Sequence, residues 1–159
     1  MQDIISRLRA KKDEEGFTLI ELLVVVVIIG VLVAIAVPVY LNYREGAADK
    51  SAQSDVRGAI SAVEQYYTNN SNKYPADVTA TTGTSGKIDL AAQTNGTAGT
   101  ITLSSGTTLA LKNNTSYYVI CATNQGGTKD KVYVYNSQAG GSVKASGSTT
   151  VAACITAGN

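Results

Sequence analysis

At 159 residues, with 44% apolar side chains and a net charge of +1, the chain fits one folded domain and carries no field that would draw a nucleic acid. It contains no histidine, which removes the commonest general base and neutral metal ligand and excludes a Ser-His-Asp site despite the many serines. Two cysteines, Cys121 and Cys154, stand outside any metal-ligand spacing. They imply one disulfide if the domain is exported, and two buried thiols if it is not.

The first sixteen residues are short and charged, with Arg7, Arg9, Lys11 and Lys12 followed by Asp13, Glu14 and Glu15. Residues 17–41 then form an apolar run broken only by Thr18, Glu21 and Pro38. As a helix this run is about 37 Å long, against a bilayer hydrocarbon core of about 30 Å, so it can span. The basic cluster before it is expected to stay cytoplasmic and to leave the remainder of the chain outside. A cleaved secretory signal is one reading, since Ala34-Ile35-Ala36 offers a small-x-small site. The run exceeds a usual signal core, however, and the residues abutting it are acidic. A plain signal anchor is another reading. Both leave Glu21 unexplained, and a carboxylate in a membrane span costs a few kcal/mol, which makes it a functional candidate.

Helical periodicity continues beyond Pro38. Ala52, Val56, Ala59 or Ile60, Val63 and Tyr67 recur at spacings of three and four, defining one apolar stripe that ends at Thr68-Asn69-Asn70-Ser71-Asn72 and Tyr74-Pro75. A helix from Phe17 to about Asn69 would be about 80 Å long, more than a single domain needs. Pro38 removes a backbone hydrogen bond and is expected to kink it, while Gly30 weakens it by about 1 kcal/mol.

After Tyr74 the pattern turns to strands. Tyr117–Ala122 is β-branched and aromatic, and Lys131–Tyr135 alternates Val132 and Val134 with Tyr133 and Tyr135. Asn124-Gln125-Gly126-Gly127-Thr128 between them predicts a hairpin. Ile101–Leu103 and Leu109–Leu111 are further strands around Ser104–Thr108. The helical stripe is expected to pack on one sheet face, giving an α+β fold with a long N-terminal helix on a C-terminal antiparallel sheet. Asp77, Asp89 and Asp130 are scattered and no EF-hand or phosphate-loop spacing occurs, so no metal, no cofactor and no enzymatic activity are expected. The Asn95-Gly96-Thr97 sequon is the kind that arises by chance in a chain so rich in Asn and Thr. Phe17, Tyr40 and Tyr43 are read as space-filling or interfacial rings rather than an electron path.

Gly16-Phe17-Thr18-Leu19-Ile20-Glu21-Leu22-Leu23, together with Gly30 and Pro38, resembles the processing motif and N-terminal helix of type IV pilins and their pseudopilin relatives. One departure is the acidic Asp13-Glu14-Glu15 just before the glycine, where many leaders are basic. The resemblance implies a leader at residues 1–16, a transmembrane and polymerisation helix at 17–41, and an amphipathic half of the same helix at 42–70. A globular β domain would occupy 71–159, with a C-terminal loop closed by Cys121 and Cys154. It further implies cleavage after Gly16 by a prepilin peptidase, methylation of the Phe17 amine, and an assembly role for Glu21 with Phe17. Gly30 and Pro38 would mark a stretch that kinks or extends in the filament. The expected partners are copies of the chain itself, the peptidase, the pilus assembly machinery and the cytoplasmic membrane, with no specific nucleic acid. The chain would sit in that membrane as a single-pass precursor, C-terminus outside, and then in an extracellular pilus serving adhesion, motility or DNA uptake. The alternatives are a pseudopilin of a secretion or competence system and an anchored extracellular domain that never polymerises.

Overall fold

The computed structural model describes residues 17–83 and 86–158. Its first element is a helix, α1, of 51 residues from Leu19 to Asn69, and it contains Pro38. The first part of α1, up to Tyr40, belongs to one compact unit, and everything from Leu41 onward belongs to a second.

In the first unit no side chain of the helix is buried. Every large apolar side chain that stands exposed among the described residues lies between Phe17 and Tyr43. This segment is therefore apolar all round, the pattern of a helix covered by lipid or by other helices.

The second unit is built on an antiparallel sheet. Its strands are β1 (Val78–Thr81), β4 (Thr107–Asn113), β5 (Tyr118–Asn124), β6 (Tyr133–Asn136) and β7 (Lys144–Ala145), in the spatial order β1-β4-β5-β6-β7. A separate antiparallel ribbon pairs β2 (Lys87–Leu90) with β3 (Gly99–Thr102). A short helix, α2 (Val151–Ala157), closes the chain. The α+β architecture with a long helix on an antiparallel sheet is the one expected.

The alternation of side chains along a strand assigns the two sheet faces. Leu109, Leu111, Tyr118, Ile120, Ala122 and Tyr133 face the helix and pack with Ala52, Val56, Ala59, Val63 and Tyr66 of α1. The stripe thus ends on Tyr66 rather than Tyr67. Tyr66 is fully buried with its hydroxyl on Ala91 O, while Tyr67 stacks at the margin against Tyr74. Ala110, Val119, Cys121, Val132 and Val134 point the opposite way, into a second small core beneath Val151 and Cys154 of α2. Being covered on both faces, β5 is buried at six of its seven positions, which explains its unbroken apolar run.

The 101–103 and 109–111 segments are strands, as expected, but belong to different sheets. β3 pairs with β2, and β4 runs between β1 and β5. The C-terminal segment also adds a third layer that periodicity did not signal. α2 is capped by Thr150, whose hydroxyl accepts from Ala153 N, and it stops at Gly158 in the left-handed region.

Polar side chains also anchor α1. The helix ends where Ser71 and Asn72 turn left-handed. Beside them the fully buried Asn70 donates to Tyr66 O and Thr97 O and accepts from Gln93 N, tying the 91–97 loop to the helix end. A Cβ on Gly96 would overlap that Asn70 amide, so only glycine fits there. Two turns of α1 carry buried carboxylates. Asp55 accepts from Ser104 N and Oγ, each at 2.9 Å. Asp49 accepts from Thr128 N at 3.0 Å, Thr128 Oγ1 at 2.8 Å and Lys131 Nζ at 2.8 Å. Each pins a sheet loop to the helix.

Burial pushes the Asp49 carboxyl up. The hydrogen bonds from Lys131 and Thr128 more than offset this and leave it below the ordinary carboxylate range. A depressed folded-state pKa gives stability that is present above the unfolded value of about 3.9 and is lost as pH falls through the lower folded value. The thermal midpoint should therefore drop on acidification below about pH 4. Asp49→Asn should begin lower and lose less across the same range. Melting curves of both proteins at successive pH values check this, and parallel acid profiles would remove Asp49 as the cause.

Candidate functional site

Gly16 and the expected leader at 1–16 lie outside the described residues. The described chain opens at Phe17, which is 83% exposed. Thr18 then begins α1. Its carbonyl accepts the first intrahelical bond, from Leu22 N at 3.2 Å. Its hydroxyl accepts from Glu21 N at 3.3 Å, while its own N–H and hydroxyl both donate to Glu21 Oε2 at 2.8 Å. This is a reciprocal capping box, in which residue N3 reaches back to the N-cap. The signal was legible in Thr18-Leu19-Ile20-Glu21, a T-x-x-E spacing before an apolar run, and Thr18 was the residue that sequence reasoning passed over.

The arrangement fixes the Glu21 carboxylate at the helix start, with Oε2 held by the Thr18 N–H and hydroxyl. Both donors share Oε2, whereas a carboxylate accepts about four hydrogen bonds in all. Capacity remains for a cation. The two donors it holds are neutral, so they orient the charge without cancelling it.

Further along the helix, a Cβ at Gly30 would meet nothing within 4 Å, so this chain's own packing does not require glycine there. Pro38 lies inside α1, where the helical assignment is unbroken. Among the described residues α1 is the one helix long and apolar enough to cross a membrane. The described residues contain no cluster of three His, Cys, Asp or Glu groups placed to hold a metal.

Cys121 and Cys154 form a disulfide. The first lies on β5, the middle strand of five, and the second on α2, and both are fully buried. The bond fastens α2 over the outer sheet face, with Asn136 Nδ2 donating to Gly158 O as a second tie.

Comparison with known proteins places this site in context. A family profile described as "Prokaryotic N-terminal methylation motif" matches residues 11–37. A "Fimbrial protein EcpC" of Eikenella corrodens is 33% identical over 135 residues, covering 72% of this chain and 86% of that protein. A "Fimbrial protein" of Neisseria meningitidis is 41% identical over 78 residues, 46% of each chain. A "Type II secretion system core protein G" of Aeromonas hydrophila is 38% identical over 65 residues, 41% of this chain and 45% of that one. The chain thus spans less than half the length of the Neisseria and Aeromonas relatives, and most of the Eikenella one. No solved structure matches. A relative matched over most of its length, the methylation motif, and a long apolar helix leading into a helix-on-sheet domain define one class. The chain belongs to the type IV pilin family.

Replacing both cysteines with serine removes the covalent tie of α2. The expected loss is about 2–5 kcal/mol of domain stability. Thermal unfolding of the double variant should show a clearly lowered midpoint, and alkylation without reductant should leave the wild-type thiols unlabelled. An unchanged midpoint would mean that the apolar contacts of Val151 and Ile155 hold α2 by themselves.

Proposed function

We propose that the chain is made as a membrane-anchored precursor with a leader at 1–16, cut between Gly16 and Phe17, methylated on the new amine, and polymerised into an extracellular pilus. The observation that carries this reading is the uncovered apolar sleeve of residues 17–43, joined in one helix to a domain that buries its own core. In the membrane, lipid covers the sleeve. After extraction into a filament, only the sleeves of other copies can cover it. Support for the orientation comes from Arg7, Arg9, Lys11 and Lys12, which favour a cytoplasmic N-terminus and an outer globular domain.

Cleavage turns the Phe17 amide nitrogen into a cationic amine. In a bundle of apolar helices a lone ammonium is costly, and a lone carboxylate equally so. Glu21, held at the helix start by Thr18, neutralises the amine of its own chain in the membrane and that of the neighbouring copy in the filament. The same contact sets the axial register, as single buried polar groups do in coiled coils. Gly30 and Pro38 mark the stretch of α1 with the weakest local helix, where the helix adapts to its neighbours by bending or extending.

A second reading is favoured by the Aeromonas relative: a short filament within a secretion apparatus, built by the same assembly chemistry. Identification of this chain in sheared surface filaments separates the two.

Intact mass spectrometry of the surface protein should show an N-terminus at Phe17 carrying one added methyl group. An N-terminus at Val37 would instead mark an ordinary signal peptide. Glu21→Gln keeps a residue able to complete the capping box but removes the charge. Membrane levels and cleavage should be normal. Assembly should fail, because an uncompensated buried charge costs about 3–5 kcal/mol, a factor of about a hundred or more in an assembly constant. Electron microscopy reads the outcome, and filaments of ordinary number from the variant alone would discard the charge-pairing mechanism.

A further inference from the structure

The carboxylates of α1 that face the sheet are already engaged, Asp49 by Thr128 and Lys131, and Asp55 by Ser104. Arg44 is left without one. The positions three and four residues on, where an acid would pair with it along the helix, are Ala47 and Ala48. Lys112 and Lys131 are the cations with an ion-pair partner among the described residues, and Arg44 is not one of them.

Instead of a partner, Arg44 borders a cavity of about 520 Å³ lined by Ala47, Ala48 and Ser51 of α1 and by the 105–106 and 124–126 loops. The walls are fixed. Asn124 donates to Ser105 O and accepts from Gly126 N, Gln125 N donates to Gly106 O, and Asp55 holds Ser104. Among the described residues no carboxylate lines the cavity. The guanidinium, the Gln125 amide and the Ser105 hydroxyl can donate into it, while the Ser51 hydroxyl is committed to Ala47 O; this is the chemistry of a carboxylate seat.

We propose that this cavity is an interface between copies of the chain, in which Arg44 receives a carboxylate side chain from a neighbouring subunit. The proposal rests on the filament reading above. A helical polymer joins two different patches of identical chains, so a cationic recess on one face calls for an anionic group on another. The same chain supplies the candidates. Among the exposed carboxylates of the domain with no cation partner among the described residues, Glu64 is engaged by the Tyr118 hydroxyl, which leaves Glu45, Asp89 and Asp130. The contact would add to the pairing between N-termini a second register mark, at the level of the globular domains.

The test uses full-length protein in cells that assemble the wild type. Arg44→Glu should leave the membrane level and the Gly16–Phe17 cleavage unchanged and reduce sheared filaments about tenfold or more, the scale expected when charges clash across an interface. Glu45→Arg, Asp89→Arg and Asp130→Arg are then each introduced beside Arg44→Glu. Restoration of filaments by one of them, with that reversal alone being defective, establishes the pair. Normal filaments from Arg44→Glu overturn the proposal. So does a loss that none of the three reversals repairs, because the defect then lies within the subunit's own helix. The two failures are distinct: a wild type that assembles in no host overturns the filament reading and the interface with it, whereas a wild type that assembles beside an unaffected Arg44→Glu overturns the interface alone.

Discussion

Burying apolar surface is the largest favourable contribution to folding, and a helix that is apolar on every side cannot be satisfied by packing on one sheet face. α1 states this problem in one continuous element. From Ala52 onward its apolar residues fall on one stripe and find the sheet. Before that, side chains such as Val24, Ile28, Leu32 and Ile35 are each more than half exposed. At roughly 25 cal/mol per Å², such a surface is untenable in water, and the remaining parts of the molecule are arranged around where it is covered. Lipid and neighbouring sleeves are alternative covers of similar polarity, so transfer between them changes the hydrophobic term little. What distinguishes the two environments is the charge at the helix start and the fit of the globular domains.

That division explains why the second half of α1 is fixed to its sheet so thoroughly. If the helix is handled as the polymerising element, its attachment to the domain has to bear the connection. Apolar contact alone is non-directional and permits sliding. Asp49, Asp55 and Asn70 add directional bonds at three levels, each binding a different loop, while Tyr118, fully buried, donates to Glu64 at 2.7 Å in the middle. Burial and the adjacent Glu64 carboxylate push the Tyr118 phenol up, so it remains a donor at any physiological pH. The crowding of Gly127 against Asp49 belongs to the same scheme, since any side chain there would displace the carboxylate from the loop it holds. On the far face of the sheet the disulfide performs the equivalent task for α2, which is too short to be held by its own helical propensity.

Legibility in the sequence followed the physics of each signal. The helix was plain because its first half is unbroken and its second half periodic, and β5 and β6 because β-branched runs flank a glycine turn. The one-residue slip from Tyr67 to Tyr66 reflects a helix end, where 3.6-residue spacing fits either tyrosine until Ala91 O is seen to take the hydroxyl. β1 and β2 were missed because Val78-Thr79-Ala80-Thr81 and Lys87-Ile88-Asp89-Leu90 are four residues each, too short to show a period against their Thr- and Gly-rich surroundings. β2 is nevertheless a clean alternation once its ends are known. α2 was missed because seven residues carry less than two turns of pattern, and its stability comes from Cys154 and the Thr150 cap rather than from composition. The anchoring acids were illegible for a different reason. A buried aspartate looks like a solvated one until its donors, 79 and 49 residues distant in the chain, are in place.

Glu21 carries two demands that a single residue seldom meets. As N3 of the capping box it must accept from Thr18, and either Glu or Gln can occupy that position. Capping alone therefore does not account for a carboxylate in an apolar helix, where the charge raises the cost of burial over that of the amide. What the charge adds is attraction for a cation, and on the proposed route cleavage creates one at Phe17, about one helical turn before it. The capping bonds then matter a second time. A free glutamate would have to lose side-chain rotamer freedom on meeting an incoming amine, a cost of up to about 2 kcal/mol. Thr18 holds Oε2 in advance, so that cost falls on folding of the helix and not on each assembly step. On the proposed route Thr18 is therefore a positioning residue, which keeps Oε2 occupied and leaves the other carboxylate oxygen free to accept from the amine.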